Sequence, residues 1–359
     1  MSSQLDILAL EPFYGGQRRS MLETVTRCSR HRWTVLKLPP RRIERRLTAA
    51  AHWFGEQLQR HWSGKIDLVF ASEAMNLPDL FRLVPVLSRK PSIVYFHDNQ
   101  LPSANGGEEG PLDLVNVSTA MAATAAWFNS EFHRRTFLNR AANVLFRHPE
   151  IAQLGAGDAL TLKAQTVPPP IDVHLAHDAA HRAPDGRKPR AVFVETRDAQ
   201  VGWLNAAFTK LKDLGEPFEL ITVGPAEGVA ADLPRRTVPE QDDHAIAAAL
   251  AEAAVFASVK PAANHDFHAV RALAAGCWPV LPRAAVYPEI LAEPLHRACL
   301  YDPTPDGLLR SIEDAWHLSR PADHAATLRS SLVKFDPTPA CKAIDKRIEE
   351  LVAGRASRR

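Results

Sequence analysis

The 359-residue sequence has only four cysteines, Cys28, Cys277, Cys299 and Cys341, and no two of them form a CxxC pair. Without histidines at a supporting spacing they exclude a zinc ribbon and a disulfide framework, and read as reduced, mostly buried thiols. No run approaches the roughly 20 apolar residues that cross a bilayer. The first apolar stretch carries Asp6 and lacks the basic-then-apolar order of a secretory leader. A cytoplasmic protein with no membrane partner is expected. The net charge of +2 is too small to announce a nucleic-acid partner by itself. There is no internal repeat at a fixed period and no low-complexity tract.

What is present is ordinary globular material, 46% hydrophobic and 23% charged, in a chain longer than one compact domain usually is. Two domains are expected. Short apolar runs bounded by turn residues predict strands at Leu5–Leu10, Trp33–Leu38, Ile66–Ala71, Ser92–Phe96 and Ala126–Asn129. Helical patterns such as Ile43–Trp62 and Leu112–Thr124 lie between them. After Pro168-Pro169-Pro170 the pattern lapses, and residues 174–189 read as an exposed linker. A second series follows, with strands Ala191–Glu195, Phe218–Val223, Val255–Ser258 and Trp278–Leu281, and helices Trp203–Leu214, Asp243–Ala254 and His268–Ala275. The expected division is 1–173, a linker 174–189, 190–335, and a C-terminal helix and tail over 336–359. Strand–helix alternation in both halves predicts an α/β fold of two doubly wound, Rossmann-like domains facing a central cleft.

Ligands of such sheets bind outside the carboxyl ends of the strands, so the loops there carry the candidate chemistry. The first strand runs into Tyr14-Gly15-Gly16 and then a helix. Paired glycines at such a turn let backbone N–H groups approach an anion or a hydroxyl-rich ligand, or simply make a tight turn. The segment lacks a Walker lysine and a full GxGxxG. After the fourth strand come His97, Asp98, Asn99 and Gln100. A histidine there can donate to a sugar hydroxyl or to an oxygen gaining negative charge, with Asp98 orienting it or accepting from substrate. Asn129-Ser130 repeats the arrangement and also suits a cap for the helix from Glu131. In the second half Arg197 could pair with a diphosphate or with neighbouring Asp198, and Glu289 could meet a ribose or cap a helix. His265-Asp266-Phe267-His268 lacks a further ligand at a supporting spacing, so no metal is expected. Arginines cluster before residue 150: Arg18 and Arg19, Arg41, Arg42, Arg45 and Arg46, and Arg134, Arg135 and Arg140. They could form one positive surface or merely solvated helix faces.

Together these segments resemble the tRNA-queuosine α-mannosyltransferases, relatives of glycosyltransferase family 4. The resemblance rests on Ala9–Gly16, Leu38-Pro39-Pro40-Arg41-Arg42, Tyr95–Leu101, Phe128–His133, Ala275-Gly276-Cys277-Trp278-Pro279 and Val286-Tyr287-Pro288-Glu289, in that order along most of the chain. It implies a GT-B fold and a metal-independent, retaining transfer of mannose from GDP-mannose to queuosine in the tRNA anticodon, with no cofactor beyond the donor. The first domain would bind the acceptor and the second the nucleotide sugar. By the same resemblance Gly15 and Gly16 would approach the donor, His97 the transferred sugar and Arg197 the diphosphate. Tyr14, Arg18, Arg19, Arg41, Arg42, Asn99, Gln100 and Asn129 would serve the acceptor and its RNA.

The second half departs from the pattern. Family 4 enzymes usually carry two glutamates eight residues apart, and Ala263 and Arg271 stand at those positions. The lysine that normally follows the diphosphate arginine is missing after Arg197. Gln17-Arg18 replaces the usual Ser-His, and residues 103–107 replace a Tyr-Pro turn. A small shift of the alignment would bring Asp266 or His268 into the donor site. Two alternatives follow: a transferase using a different nucleotide sugar or acceptor, or a non-catalytic RNA-binding relative with an eroded donor site.

Overall fold

The structure, a computed structural model, describes residues 4–101, 112–153, 155–182, 186–225, 227–317 and 325–356. The chain divides into two compact units, one made of residues 1–170 with 337–359 and the other of residues 171–336.

The first unit is built on six parallel strands: β1 (Asp6–Glu11), β2 (Arg32–Lys37), β3 (Leu68–Ser72), β4 (Ser92–Phe96), β5 (Ala125–Phe128) and β6 (Ala164–Thr166), in the order β2-β1-β3-β4-β5-β6. Central strands are apolar on both faces because helices cover both faces of a parallel sheet. One core joins Leu8, Val69, Val94 and Phe128 to helices Ile43–His61 and Glu131–Phe146. The other joins Ile7, Phe70, Tyr95 and Trp127 to helix Gly16–Cys28 and to Cys341, Ile344 and Ile348. Helix Pro337–Ala356, expected as a separate tail, is therefore part of this unit. Its Asp345 accepts hydrogen bonds from Ser29 Oγ (2.6 Å) and the Arg30 N–H (2.9 Å).

The second unit has β7 (Lys188–Glu195), β8 (Glu219–Val223), β9 (Arg235–Val238), β10 (Ala253–Ala257), β11 (Trp278–Pro282) and β12 (Leu300–Tyr301), all parallel, in the order β12-β11-β10-β7-β8-β9. The expected linker 174–189 is instead helix His174–Arg182 and the start of β7. Its polar composition hid an amphipathic helix whose Ala176 is fully buried in the core of this unit.

In both sheets the strand order reverses beside the first strand of the unit, between β1 and β3 and between β7 and β10. At such a switch point the two following helices leave to opposite faces, and a crevice opens at the carboxyl ends of the strands.

Candidate active site

In the first crevice the organising residue is Glu73, one residue past β3 and fully buried. Its carboxylate takes a two-pronged ion pair from Arg18, with Arg18 Nη1 donating to Oε2 at 2.8 Å and Nη2 donating to Oε1. The same two oxygens accept the backbone N–H groups of His97 (3.3 Å) and Asp98 (3.0 Å). One carboxylate thus fixes the loop after β4 to the helix after β1, using the planar fork that makes arginine–carboxylate pairs directional. Arg18, expected on the basic surface, is 6% exposed. A guanidinium that deep needs a full charge beside it, and Glu73 supplies it.

Glu11 ends β1 and lies against this pair, 1% exposed. Its Oε1 accepts from the Phe13 N–H (2.8 Å) and from Ser72 Oγ (3.0 Å). Burial pushes its carboxyl up to about 7; Arg18 opposes this, Glu73 adds to it, and the two hydrogen bonds oppose it.

The loop itself is wired from behind. Asp98 Oδ1 accepts from the Asn99 N–H (2.8 Å), and Asn116 Oδ1 from the Gln100 N–H (2.7 Å). Asn129 Nδ2 donates to the His97 carbonyl (2.8 Å), while Asn129 Oδ1 meets His133 Nδ1 at 2.9 Å and Asn99 Nδ2 meets His133 Nε2 at 3.0 Å. This pattern puts the ring proton of His133 on Nδ1, donating to Asn129, and leaves Nε2 to accept from Asn99. Asn99 and Asn129, expected to face an acceptor, therefore spend amide groups on holding His133 and His97. Ser130 caps the following helix as expected, accepting from the His133 N–H at 3.0 Å. The His97 ring lies 4.7 Å from that of Tyr95. Gln100 Oε1 is buried and has no hydrogen-bond partner among the described residues.

Gly15 and Gly16 each have a backbone reason. A Cβ on Gly15 would lie 2.6 Å from Pro40 Cγ, and Gly16 has φ +49. Tyr14 donates its hydroxyl to Glu23 at 2.8 Å, and the Lys37 ammonium stands 4.1 Å from its ring centre. Pro40 brings the connection after β2 against the glycine turn, and Arg41 and Arg42 beyond it are exposed, as is Arg45. Arg19 is half-buried at the start of helix Gly16–Cys28. Residues 103–107, the altered turn, lie outside the described residues.

The second crevice carries its own charged set. Glu195, the last residue of β7, pairs with Lys260, three residues past β10, at 2.5 Å, with both side chains largely buried. Arg197 donates through Nε to Glu240 Oε1 at 2.8 Å and through Nη2 to Oε2 at 2.5 Å. Its partner is therefore Glu240 from the loop after β9, not Asp198. Asp266 caps helix Phe267–Ala275, accepting from the Ala269 N–H (2.9 Å), Ser258 Oγ (3.1 Å) and the Tyr287 hydroxyl (2.9 Å). Burial raises its pKa, but the nearby Lys260 charge and these donors outweigh that and hold it below the usual carboxylate range.

Burial drives His265 down to about 4, and lowers His268 as well. Arg271, at the position of the second family glutamate, is 4% exposed and donates to Asp243 at 2.9 Å. Glu289 sits in the short helix Tyr287–Ile290 without capping it, and its carbonyl accepts from Lys334. Among the described residues no group of three His, Cys, Asp or Glu could hold a metal ion.

The structure thus gathers Arg18, His97, Asp98, Asn99, Gln100 and Asn129 at one crevice, and puts Arg197 on the loop after β7 and Glu289 in the short helix after β11. Sequence reasoning missed Glu11, Glu73 and Lys260. Each follows or ends a strand at a switch point, a signal that emerges only once the strand order is known.

Two parallel sheets of this order, each with charged groups at the carboxyl ends of its strands, have the architecture of the GT-B fold. The HepE protein of Anabaena, solved with UDP and glucose, superposes with a TM-score of 0.68 at 13% identity over 97% of this chain and 100% of its own. The catalytic domain of Arabidopsis thaliana starch synthase IV, solved with ADP and acarbose, gives 0.69 at 11% identity over 99% and 100%. Residues 6–171 match the family model described as tRNA-queuosine alpha-mannosyltransferase N-terminal. The Drosophila melanogaster tRNA-queuosine alpha-mannosyltransferase is 23% identical over 318 residues, covering 79% of this chain and 81% of that relative.

Proposed function

We propose that the chain transfers mannose from GDP-mannose to queuosine in the tRNA anticodon, in the cytoplasm, with retention and without a metal or other cofactor. The observation that carries this reading is the family match over residues 6–171, which spans every residue of the Glu73-centred assembly. In this reading the acceptor oxygen bonds to the anomeric carbon on the face from which the bond to phosphate breaks. The departing phosphate oxygen takes the acceptor's proton. His97 and Asp98 lie beside the transferred sugar, oriented by Glu73, and Arg197 meets the diphosphate. The exposed Arg41, Arg42 and Arg45 hold the anticodon arm through phosphates.

The test is mass spectrometry of queuosine nucleosides from tRNA incubated with protein and GDP-mannose, beside a control without donor. A hexose increment that disappears with His97→Ala is expected. A folded wild-type protein that gives no increment on queuosine-containing tRNA overturns the reading. A second reading, a different nucleotide sugar, is favoured by Ala263 and by Arg271 locked to Asp243. A melting temperature raised by another nucleotide sugar and not by GDP-mannose would select it.

A further inference from the structure

Lys260, three residues past β10, is a largely buried cation paired with Glu195 at the end of β7. It stands at the switch point between β7 and β10, the crevice in which doubly wound sheets bind ligands. The loop after β7 and the segment after β10 are stitched together there by the Gln200 N–H donating to the Val259 carbonyl at 2.8 Å, one residue before Lys260. The Lys260 side chain is 13% exposed and that of Glu195 16%. Lys260 remains charged, because Glu195, Asp266 and Asp198 together outweigh its burial. Arg197 lies two residues past Glu195, and Glu240, its partner, also feels Lys260. Lys260 is therefore held by a carboxylate at the end of β7, and Arg197 by one in the loop after β9.

We propose that Lys260 is the second diphosphate-binding cation of the donor site, with Glu195 as its resting counter-ion. The inference rests on the nucleotide-sugar reading above. It makes Glu195 a competitor of the ligand: an arriving diphosphate takes the ammonium from the carboxylate, and the two residues act on affinity with opposite signs. A pair that merely braces the fold has no such asymmetry.

The test titrates GDP, and guanosine as the phosphate-free control, into the full-length wild type and three variants by calorimetry. Lys260→Met is expected to weaken GDP about 10- to 100-fold, the range of one lost charge-assisted hydrogen bond, and to leave guanosine unchanged. Glu195→Gln is expected to tighten GDP several-fold. The double variant removes the Lys260 and Glu195 charges together, so neither is left buried without the other, and is expected to bind GDP as weakly as Lys260→Met. Wild-type GDP affinity in the double variant, or equal losses for GDP and guanosine, overturns this inference and leaves the proposed function standing. Wild-type protein that binds none of GDP, UDP and ADP overturns both.

Discussion

Replacing Glu11 by Gln removes a charge from the first crevice while keeping its shape, because an amide oxygen can still accept from the Phe13 N–H and Ser72 Oγ. In the folded protein the carboxyl titrates at about 7, against an ordinary value of 4.5. Below pH 4.5 both states hold the proton and Glu11 costs the fold nothing. Between the two values the unfolded chain ionises while the folded one keeps its proton, so stability falls as pH rises through 7 and then levels off. At about 1.4 kcal/mol per pH unit, the gap between the Gln variant and wild type should widen by about 3 kcal/mol from pH 4.5 to 8.5. Hydrogen exchange of peptides from β1 and β3 reads the stability of this unit alone, and comparing the two proteins at equal pH cancels the intrinsic exchange rate. A gap that stays constant across the range refutes the argument. It would mean that Glu11 carries the same charge in both states, and that Arg18, not burial, governs it.

Glu73→Ala strands the Arg18 guanidinium and frees the N–H groups of His97 and Asp98 together. It should destabilise the first unit by about 3–5 kcal/mol and abolish transfer, both read on purified protein by denaturation and by the nucleoside assay. Arg41→Ala with Arg42→Ala removes two exposed charges from the glycine-turn side. It should weaken tRNA binding at low salt and flatten the dependence of log affinity on log salt by about one to two, leaving thermal stability within about 0.5 kcal/mol of wild type. An unchanged salt slope would place the RNA elsewhere.

The sheets were legible wherever a strand is central. Ser92–Phe96 is wholly buried and reads as an uninterrupted apolar run, and its bounds match β4. Three edge strands were not legible: β6 (Ala-Gln-Thr), β9 (Arg-Arg-Thr-Val) and β12, of two residues, are too short or too polar to stand out. An edge strand is covered on one side only, and its composition says little about its pairing.

The site divided in the same way. The loop 97–100 announced itself by four adjacent polar residues after an apolar strand. Its organiser, Glu73, is a lone carboxylate in Ser72-Glu73-Ala74, and nothing in that stretch shows that β3 lies between β1 and β4. The arginine clusters misled for a related reason. Arg18 and Arg19 are adjacent in sequence, yet the turn of the helix sends the first inward to Glu73.

The Ile171 N–H donates to the Phe335 carbonyl at 2.9 Å, so the second unit begins and ends at one point, and residues 337–356 return to the first. In order of synthesis this inverts the units. The second, a contiguous stretch from 171 to 336, has all its residues before the first does. The core of the first, although its sheet is made earliest, lacks Cys341, Ile344 and Ile348 until the final helix has emerged. Domains generally fold as units during synthesis. Here the unit that carries His97 waits for the last, so a ribosome that stops after residue 336 releases a chain with one complete unit and a first unit still missing a helix.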